Sequence, residues 1–231
     1  MDFQLDMSID TQDLRTLKAA GMRIVLAKPV GSSSPNVVWI SFDPFEGNVV
    51  NWTEEYGLYA SNSQLISGAS IVKISSAPFP AQDGKYYSFR SDATFYGPNT
   101  GGDIPSLGSF RVFNEMPSTQ YPSLLFGLMQ SARVNGKTAE FRPLNANVVP
   151  SGTNATFTPL TTVHVWLQSN LVSGTVLVDV TSKVTIVTFG NGVTKQQLRY
   201  DPAKGQFIPF SNESQKFLTD LPHIQLLEPS V

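Results

Sequence analysis

The 231-residue chain contains no cysteine and only two histidines, His164 and His223. Disulfide bridges, thiolate metal ligands and a cysteine nucleophile are therefore excluded. The two histidines lie far apart in the sequence and do not form the closely spaced pair that a zinc site uses. We expect no metal site, no cofactor and no catalytic residue.

Charged residues are also scarce. They make up 15% of the chain, whereas an average soluble protein has about 25%. The formal net charge is -2, and no run of lysine or arginine provides the basic patch that binding to a phosphate backbone requires. The composition therefore predicts that nucleic acid is not a partner.

Long hydrophobic runs are missing as well. The first six residues, MDFQLD, are acidic where a secretory signal is basic. No apolar stretch approaches the length of about 20 residues that a membrane-spanning helix needs. We expect the protein to be cytoplasmic as synthesised, or released without a cleaved signal peptide.

The sequence is rich in alternating segments. The run VHVWLQ at 163–168 places Val163, Val165 and Leu167 on one side, and VVWISF at 37–42 is a similar run. A period of two is typical of a strand with one buried face. Because such runs recur between Gly-, Pro- and Asn-rich turns, the sequence predicts an all-β fold. We expect a two-sheet antiparallel β-sandwich, with a closed barrel as the alternative.

A single domain over residues 1–231 is the expected organisation, because all-β folds of this length often form one unit. The two Val/Trp runs suggest an alternative in which this domain has two similar halves. One or two short helices are predicted. The first covers residues 11–20 after the potential cap Asp10, and the second covers residues 212–221.

Three further segments have clear local signals. Residues 121–132 form an apolar run that we interpret as a buried strand. Asn191-Gly192 predicts a hairpin between strands on either side. Residues 96–105 contain several glycines and prolines, so they are predicted to form the longest loop.

Aromatic residues give the main functional indication. Trp52, Tyr56, Tyr87 and Tyr96 each neighbour a turn or polar residues, and we predict that they are exposed and bind a ligand. Such rings can stack on sugars, hold a choline headgroup by cation–π attraction, or settle at a membrane interface. The expected partner is a lipid headgroup or a glycan.

The first functional hypothesis is a non-catalytic binding protein that recognises lipid headgroups or a membrane surface through these aromatic loops. In a pore-forming or insecticidal-type toxin, residues 2–20 or a hairpin at 174–200 would insert into the bilayer. The alternative is a lectin-like module that stacks sugars on Trp52 or Tyr96, as a homo-oligomer joined through an edge strand.

A further alternative is an enzyme with carboxylates in an apolar pocket. Adjacent Glu54 and Glu55 face opposite sides of a strand, so they are not the catalytic pair of a glycosidase. Glu54 would need Asp43, Glu115 or Asp179 as its partner.

Overall fold

The structure is a computed structural model, and it describes residues 1–31, 34–177, 180 and 182–210. Within these ranges the chain forms seventeen strands and one helix, so the predicted all-β class is confirmed. The elements are β1 (Asp2–Ser8), α1 (Thr11–Ala19), β2 (Met22–Ala27), β3 (Ile40–Phe42), β4 (Gly47–Thr53), β5 (Gly57–Ser61), β6 (Lys73–Ser76), β7 (Lys85–Phe89), β8 (Phe95–Asn99), β9 (Phe110–Asn114), β10 (Ser123–Val134), β11 (Lys137–Pro143), β12 (Asn147–Pro150), β13 (Asn154–Phe157), β14 (Thr162–Ser169), β15 (Thr185–Thr188), β16 (Lys195–Asp201) and β17 (Gln206–Pro209).

The strands form three sheets, one more than the sequence predicts, in a sandwich-like arrangement without a closed barrel in the described ranges. The main sheet has the order β17-β16-β1-β4-β10-β5-β6, and β11 and β12 also pair with β10. The smaller sheets have the orders β13-β9-β7-β8 and β15-β14-β2-β3. The predicted sandwich fits, but two strand pairs, β1 with β16 and β7 with β9, are parallel and not antiparallel. Parallel neighbours are joined by long crossover connections, which a local pattern does not reveal.

Strand β10 is the centre of the main sheet. Its first half pairs with β5 and β12, and its second half pairs with β11 and β4. Leu124 through Gln130 are all buried, because both faces of this half of the strand are covered. The predicted strand at 121–132 is thus confirmed, and its continuous apolar run reflects burial on both faces.

Strand β14 contains the Val/Trp run at 163–168. Val163, Val165 and Leu167 face the main core, as their alternation predicts. Trp166 points to the other face, where it packs in a second small cluster. On one side β14 pairs with β2, and β3 pairs with the other edge of β2. The second Val/Trp run, which leads into β3, therefore belongs to the same small sheet.

Aromatic rings fill the core beside β1 and β4. Trp52 contacts Phe3, Trp39 and Phe189, with ring centroids 5.0 to 5.6 Å apart. Two of these contacts are edge-to-face, the geometry that aromatic quadrupoles favour. The rings join the main sheet to the sheet that contains β2 and β14.

The helix predicted at residues 11–20 is confirmed, and it packs Leu17 onto the core. The second predicted helix, at 212–221, lies outside the described residues. In the part of the chain that the structure describes, no helix is long and apolar enough to cross a bilayer.

The tight turn at Asn191-Gly192 is present. Both residues have positive φ, and Gly190 and Val193 exchange two backbone hydrogen bonds of 2.9 Å, as in a hairpin turn. However, the strands on either side do not pair with each other. Strand β15 joins the sheet of β14, whereas β16 joins the main sheet beside β1. The turn therefore connects two sheets, and the predicted hairpin is wrong beyond the turn itself.

Residues 96–99 belong to strand β8, whereas the sequence predicts a loop. This strand contains Gly97 and Pro98, which are tolerated because β8 lies at the edge of its sheet. Proline has no backbone N–H, and an edge strand does not need one on its outer side. Irregular structure begins after Asn99.

Candidate binding site

Three of the four aromatic residues predicted to be exposed are buried. The exposed fractions are 4% for Trp52, 6% for Tyr56 and 1% for Tyr87, and only Tyr96, at 41%, is exposed. Trp52 shares the parity of buried Val50 on β4, so it faces the core. The expectation of four exposed rings is therefore wrong for three of them.

Tyr87 is buried because an edge strand crosses close to its ring. A Cβ atom placed on Gly97 of β8 would lie only 2.8 Å from Tyr87 Cδ1. The Gln82 backbone N–H donates to the Tyr87 hydroxyl over 2.8 Å. The ring is thus enclosed, and its polar end has a protein partner.

Tyr96 is exposed, but its polar groups are engaged by its neighbours. Its hydroxyl donates to Asp92 over 2.6 Å, and this hydrogen bond lowers the pKa of Asp92. The Arg90 guanidinium lies 4.3 Å from the ring centroid. One face of the ring and the hydroxyl are thus occupied within the protein, which leaves little of this ring for a ligand.

Several loops meet at one end of the small sheet formed by β7, β8, β9 and β13. Strands β7 and β9 are parallel and start side by side at Lys85 and Phe110. Antiparallel β8 and β13 end at the same level, since Asn99 pairs with Tyr86 and Phe157 pairs with Phe110. The loops before β7, between β8 and β9, and after β13 therefore lie together.

Hydrogen bonds fix these loops to one another and to the turn between β4 and β5. The Gly108 N–H donates to the Asp83 carboxylate over 2.6 Å, and the Ala81 N–H donates to the Tyr56 carbonyl over 2.8 Å. The Ser109 and Thr158 hydroxyls are 2.7 Å apart. Four separate segments of the chain thus come together and line one cavity.

The cavity between these loops, here called the loop-end pocket, has a volume of about 330 Å³. Three carboxylates, Glu54, Glu55 and Asp83, lie at its exposed side, and the buried rings of Tyr56 and Phe110 line its inner side. These rings meet edge-to-face at 5.9 Å. The described lining residues include no lysine or arginine. The pocket therefore combines negative charge with aromatic surface.

The loops that line the loop-end pocket also carry exposed aliphatic side chains. Leu107, between β8 and β9, is 87% exposed, and Ile104 in the same loop and Leu160 after β13 are also exposed. An isolated exposed leucine is ordinary, but several exposed apolar side chains on loops at the same end of a sheet are typical of a contact surface. These three residues are called the apolar rim below.

Lys28 lies buried behind the pocket, at the end of β2. Its ammonium donates to Gln130 Oε1 over 2.8 Å and lies 5.2 to 5.5 Å from the ring centroids of Trp39, Trp52 and Tyr56. Burial lowers the pKa of Lys28 to about 7, and the negative charge of Glu54 partly opposes this change. Tyr56 therefore stands between a buried amine and the pocket.

Sequence reasoning singled out neither Lys28 nor Asp83, and it did not select Phe110 from the other aromatic residues. The only signal for Lys28 is that it shares the parity of the apolar residues Ile24 and Leu26. Asp83 and Phe110 are separated from Glu54 along the chain, and only the meeting of the loops brings the three together. Of the four predicted binding residues, Tyr56 alone lines the pocket.

The predicted carboxylate partners of Glu54 are found elsewhere. Asp43 pairs with Arg23 at 2.5 Å, and Glu115 accepts hydrogen bonds from Ser88 and Arg90. Asp179 is not among the described residues. Neither Asp43 nor Glu115 lines the pocket, so the structure does not join either of them to Glu54 there, as the enzyme alternative would require. Within the described ranges, no group of three or more Asp, Glu, His or Cys residues is placed to hold a metal ion.

Three larger surface clefts differ from the loop-end pocket, because lysine or arginine lies in the lining of each. A cleft of about 820 Å³ contains Arg23 and Asp43, which bind each other. A cleft of about 500 Å³ along β1 and β4 contains Lys195, whose ammonium is 2.9 Å from Asp6. In the loop-end pocket, by contrast, negative charge is concentrated without a lysine or arginine in the described lining.

Comparisons with known proteins yield no family model, no curated protein and no solved structure that matches this chain. The class that the fold and the site define is thus an all-β sandwich-like protein with an acidic, aromatic pocket at one loop end.

Proposed function

We propose that the protein is a non-catalytic binding protein that takes the ammonium group of a choline-type lipid headgroup into the loop-end pocket. The observation that supports this proposal most directly is the combination of three carboxylates with the rings of Tyr56 and Phe110 in one cavity. A quaternary ammonium group is attracted by both kinds of surface, and aromatic residues are the usual means of holding it.

The apolar rim supports a lipid as the source of the ammonium group. Leu107 is almost fully exposed, and Ile104 lies in the same loop. If the headgroup occupies the pocket, these side chains can enter the interface between headgroups and acyl chains, where apolar groups leave water. A soluble amine would make no use of this rim. The aliphatic rim thus takes the role that the sequence assigned to exposed aromatic rings.

Vesicle sedimentation tests the proposal. We expect the protein to bind vesicles of phosphatidylcholine and to bind phosphatidylglycerol vesicles at least ten-fold more weakly, because the pocket and the anionic headgroup have the same sign of charge. Absence of binding to phosphatidylcholine, or equal binding to both lipids, would contradict the proposal.

Two matched pairs of variants separate the pocket from the rim. Glu54→Gln should weaken binding to phosphatidylcholine vesicles, whereas Glu140→Gln, at an exposed position of β11, should not. Leu107→Asp should also weaken binding by placing a charge at the interface, whereas Val172→Asp, at an exposed position beyond the far end of β14, should not. Free choline should compete with vesicles for the Glu54 site, and glycans should not.

A further inference from the structure

Lys28 has an incomplete set of partners for a charged amine. An ammonium group has three N–H donors, and among the described residues its hydrogen-bond acceptor is Gln130 Oε1. The side chain of Gln130 is itself fixed, because its amide donates to the Thr53 carbonyl over 2.8 Å. The remaining surroundings of the ammonium are the rings of Trp39, Trp52 and Tyr56. When Lys28 is protonated, its ammonium group is therefore held chiefly by aromatic faces.

The charged and titratable groups near Lys28 are few. Glu54 supplies the negative charge that acts on Lys28, and Tyr56 has a phenol whose pKa is raised by burial. His164 on the adjacent β14 pairs with Ala27, so its side chain points to the sheet face opposite Lys28. The Met1 carbonyl accepts a hydrogen bond from the Glu54 N–H, which places the amino-terminal residue beside this turn.

The loop-end pocket depends on two of the same groups. Glu54 and Tyr56 line the pocket and also act on Lys28 from its other side. A cation in the pocket would thus be attracted by the carboxylate and the ring that already interact with Lys28. Two positive charges that share one carboxylate and one ring repel each other. The buried ammonium group loses its proton more readily, because water does not solvate its charge.

Building on the proposed function of the pocket, we propose that entry of a cationic headgroup releases the proton of Lys28, and that protonated Lys28 in turn weakens headgroup binding. In this step one N–H bond of the ammonium breaks, the electron pair stays on Nζ, and the proton passes to solvent. The headgroup cation then replaces the Lys28 charge as the partner of Glu54. Binding and deprotonation are reciprocal, as linkage requires.

The size of the effect follows from Coulomb's law. For two unit charges on the order of 10 Å apart at an effective dielectric constant of about 20, the Lys28 pKa falls by about one unit when the pocket is occupied. With a free-state pKa of about 7, the affinity is then about five-fold higher at pH 8.5 than at pH 6.

Choline is a suitable probe because it does not titrate in this range. Calorimetry in two buffers of different ionisation enthalpy reports protons released on binding, and we expect up to about half a proton per site at pH 7. The fluorescence of Trp39 and Trp52, close to the amine, should follow its titration in the unmodified protein. Choline should shift this midpoint downward by about one pH unit. The neutral isostere 3,3-dimethyl-1-butanol should not shift it.

Lys28→Met provides the matched control. It retains Met1 and His164, so proton release that persists in this variant comes from groups other than Lys28. We expect choline affinity of the variant to be the same at pH 6 and pH 8.5. If this variant does not fold, calorimetry and fluorescence on the unmodified protein still decide the matter.

The outcomes distinguish the two proposals. Choline binding without proton release, and with an unmoved fluorescence midpoint, would overturn the coupling to Lys28 and leave the pocket's function standing. No choline binding at either pH would overturn both. Binding with proton release that persists undiminished in Lys28→Met would also overturn the coupling.

Discussion

Replacement of Lys28 by methionine should change how the stability of the protein depends on pH. Burial lowers the pKa of Lys28 from 10.5 to about 7 in the folded state. Between these two values the unfolded chain binds a proton that the folded chain lacks, so stability rises with pH. The stability that neutral Lys28 contributes is fully present above pH 10.5 and is lost as the pH falls towards 7. Lys28→Met has no such proton.

The magnitude follows from the same two pKa values. At about 1.4 kcal/mol for each pH unit, the full difference between pH 10.5 and pH 7 is about 5 kcal/mol. Between pH 7 and pH 9, the wild-type protein should gain about 2 kcal/mol relative to Lys28→Met. The variant also leaves Gln130 Oε1 without the Lys28 donor, but this cost does not depend on pH and so does not affect the slope.

Guanidinium unfolding at pH 6, 7, 8 and 9 measures this difference. The range ends at pH 9 because burial raises the pKa of Tyr56 and Tyr59, and the stability that these neutral phenols contribute is lost above pH 10. Lys137→Met, at an exposed position, should keep the wild-type slope. Parallel curves for wild type and Lys28→Met between pH 7 and pH 9 would refute the reasoning.

Two predictions concern the packing around β10. In Gly127→Ala, the new Cβ would lie 2.0 Å from the Asn145 carbonyl oxygen, so we expect the unfolding free energy to fall by about 3 kcal/mol or more. The control Gly47→Ala places its Cβ in open space and should change the unfolding free energy by less than about 1 kcal/mol. Equal denaturation midpoints for these two variants would contradict this expectation. Tyr59→Phe removes a buried 2.6 Å hydrogen bond to the Asn145 carbonyl and should lower the unfolding free energy by about 1 to 3 kcal/mol. The control is Tyr121→Phe, at an exposed position. An unchanged unfolding free energy in Tyr59→Phe would show that this hydrogen bond contributes nothing to stability.

Local sequence patterns were sufficient to predict individual elements. The alternation at 163–168 gave both the strand and its core face, because side chains of a strand point to opposite sides in turn. The spacing of apolar residues at 11–20 gave the helix within one residue of its observed end. Asn191-Gly192 gave the tight turn, because both positions require positive φ.

Strand pairing was not predictable in the same way. The turn at Asn191-Gly192 connects strands of two different sheets, although its local geometry is that of a hairpin. Strand β1 finds a parallel partner in β16 near the other end of the described chain. Such pairings depend on which apolar faces meet in three dimensions, and each face can in principle pack against several others.

The lining of the loop-end pocket was predicted only in part. Tyr56 was selected because its aromatic ring neighbours a turn or polar residues, and it does line the loop-end pocket. Trp52 and Tyr87 were selected by the same rule but lie in the core. A nearby turn does not make a side chain exposed. Exposure depends on which face of the strand the side chain points to, and on whether another strand covers that face.

The sequence by itself determined that this protein is built of alternating strands and contains no disulfides, because composition and a period of two are local properties of the chain. Only the tertiary structure decided that Glu54, Asp83 and Phe110 share a pocket, and that Lys28 lies beneath it. The physical reason is that electrostatic and aromatic interactions act through space. Their strength is set by distance and burial, and both follow from how distant strands pack.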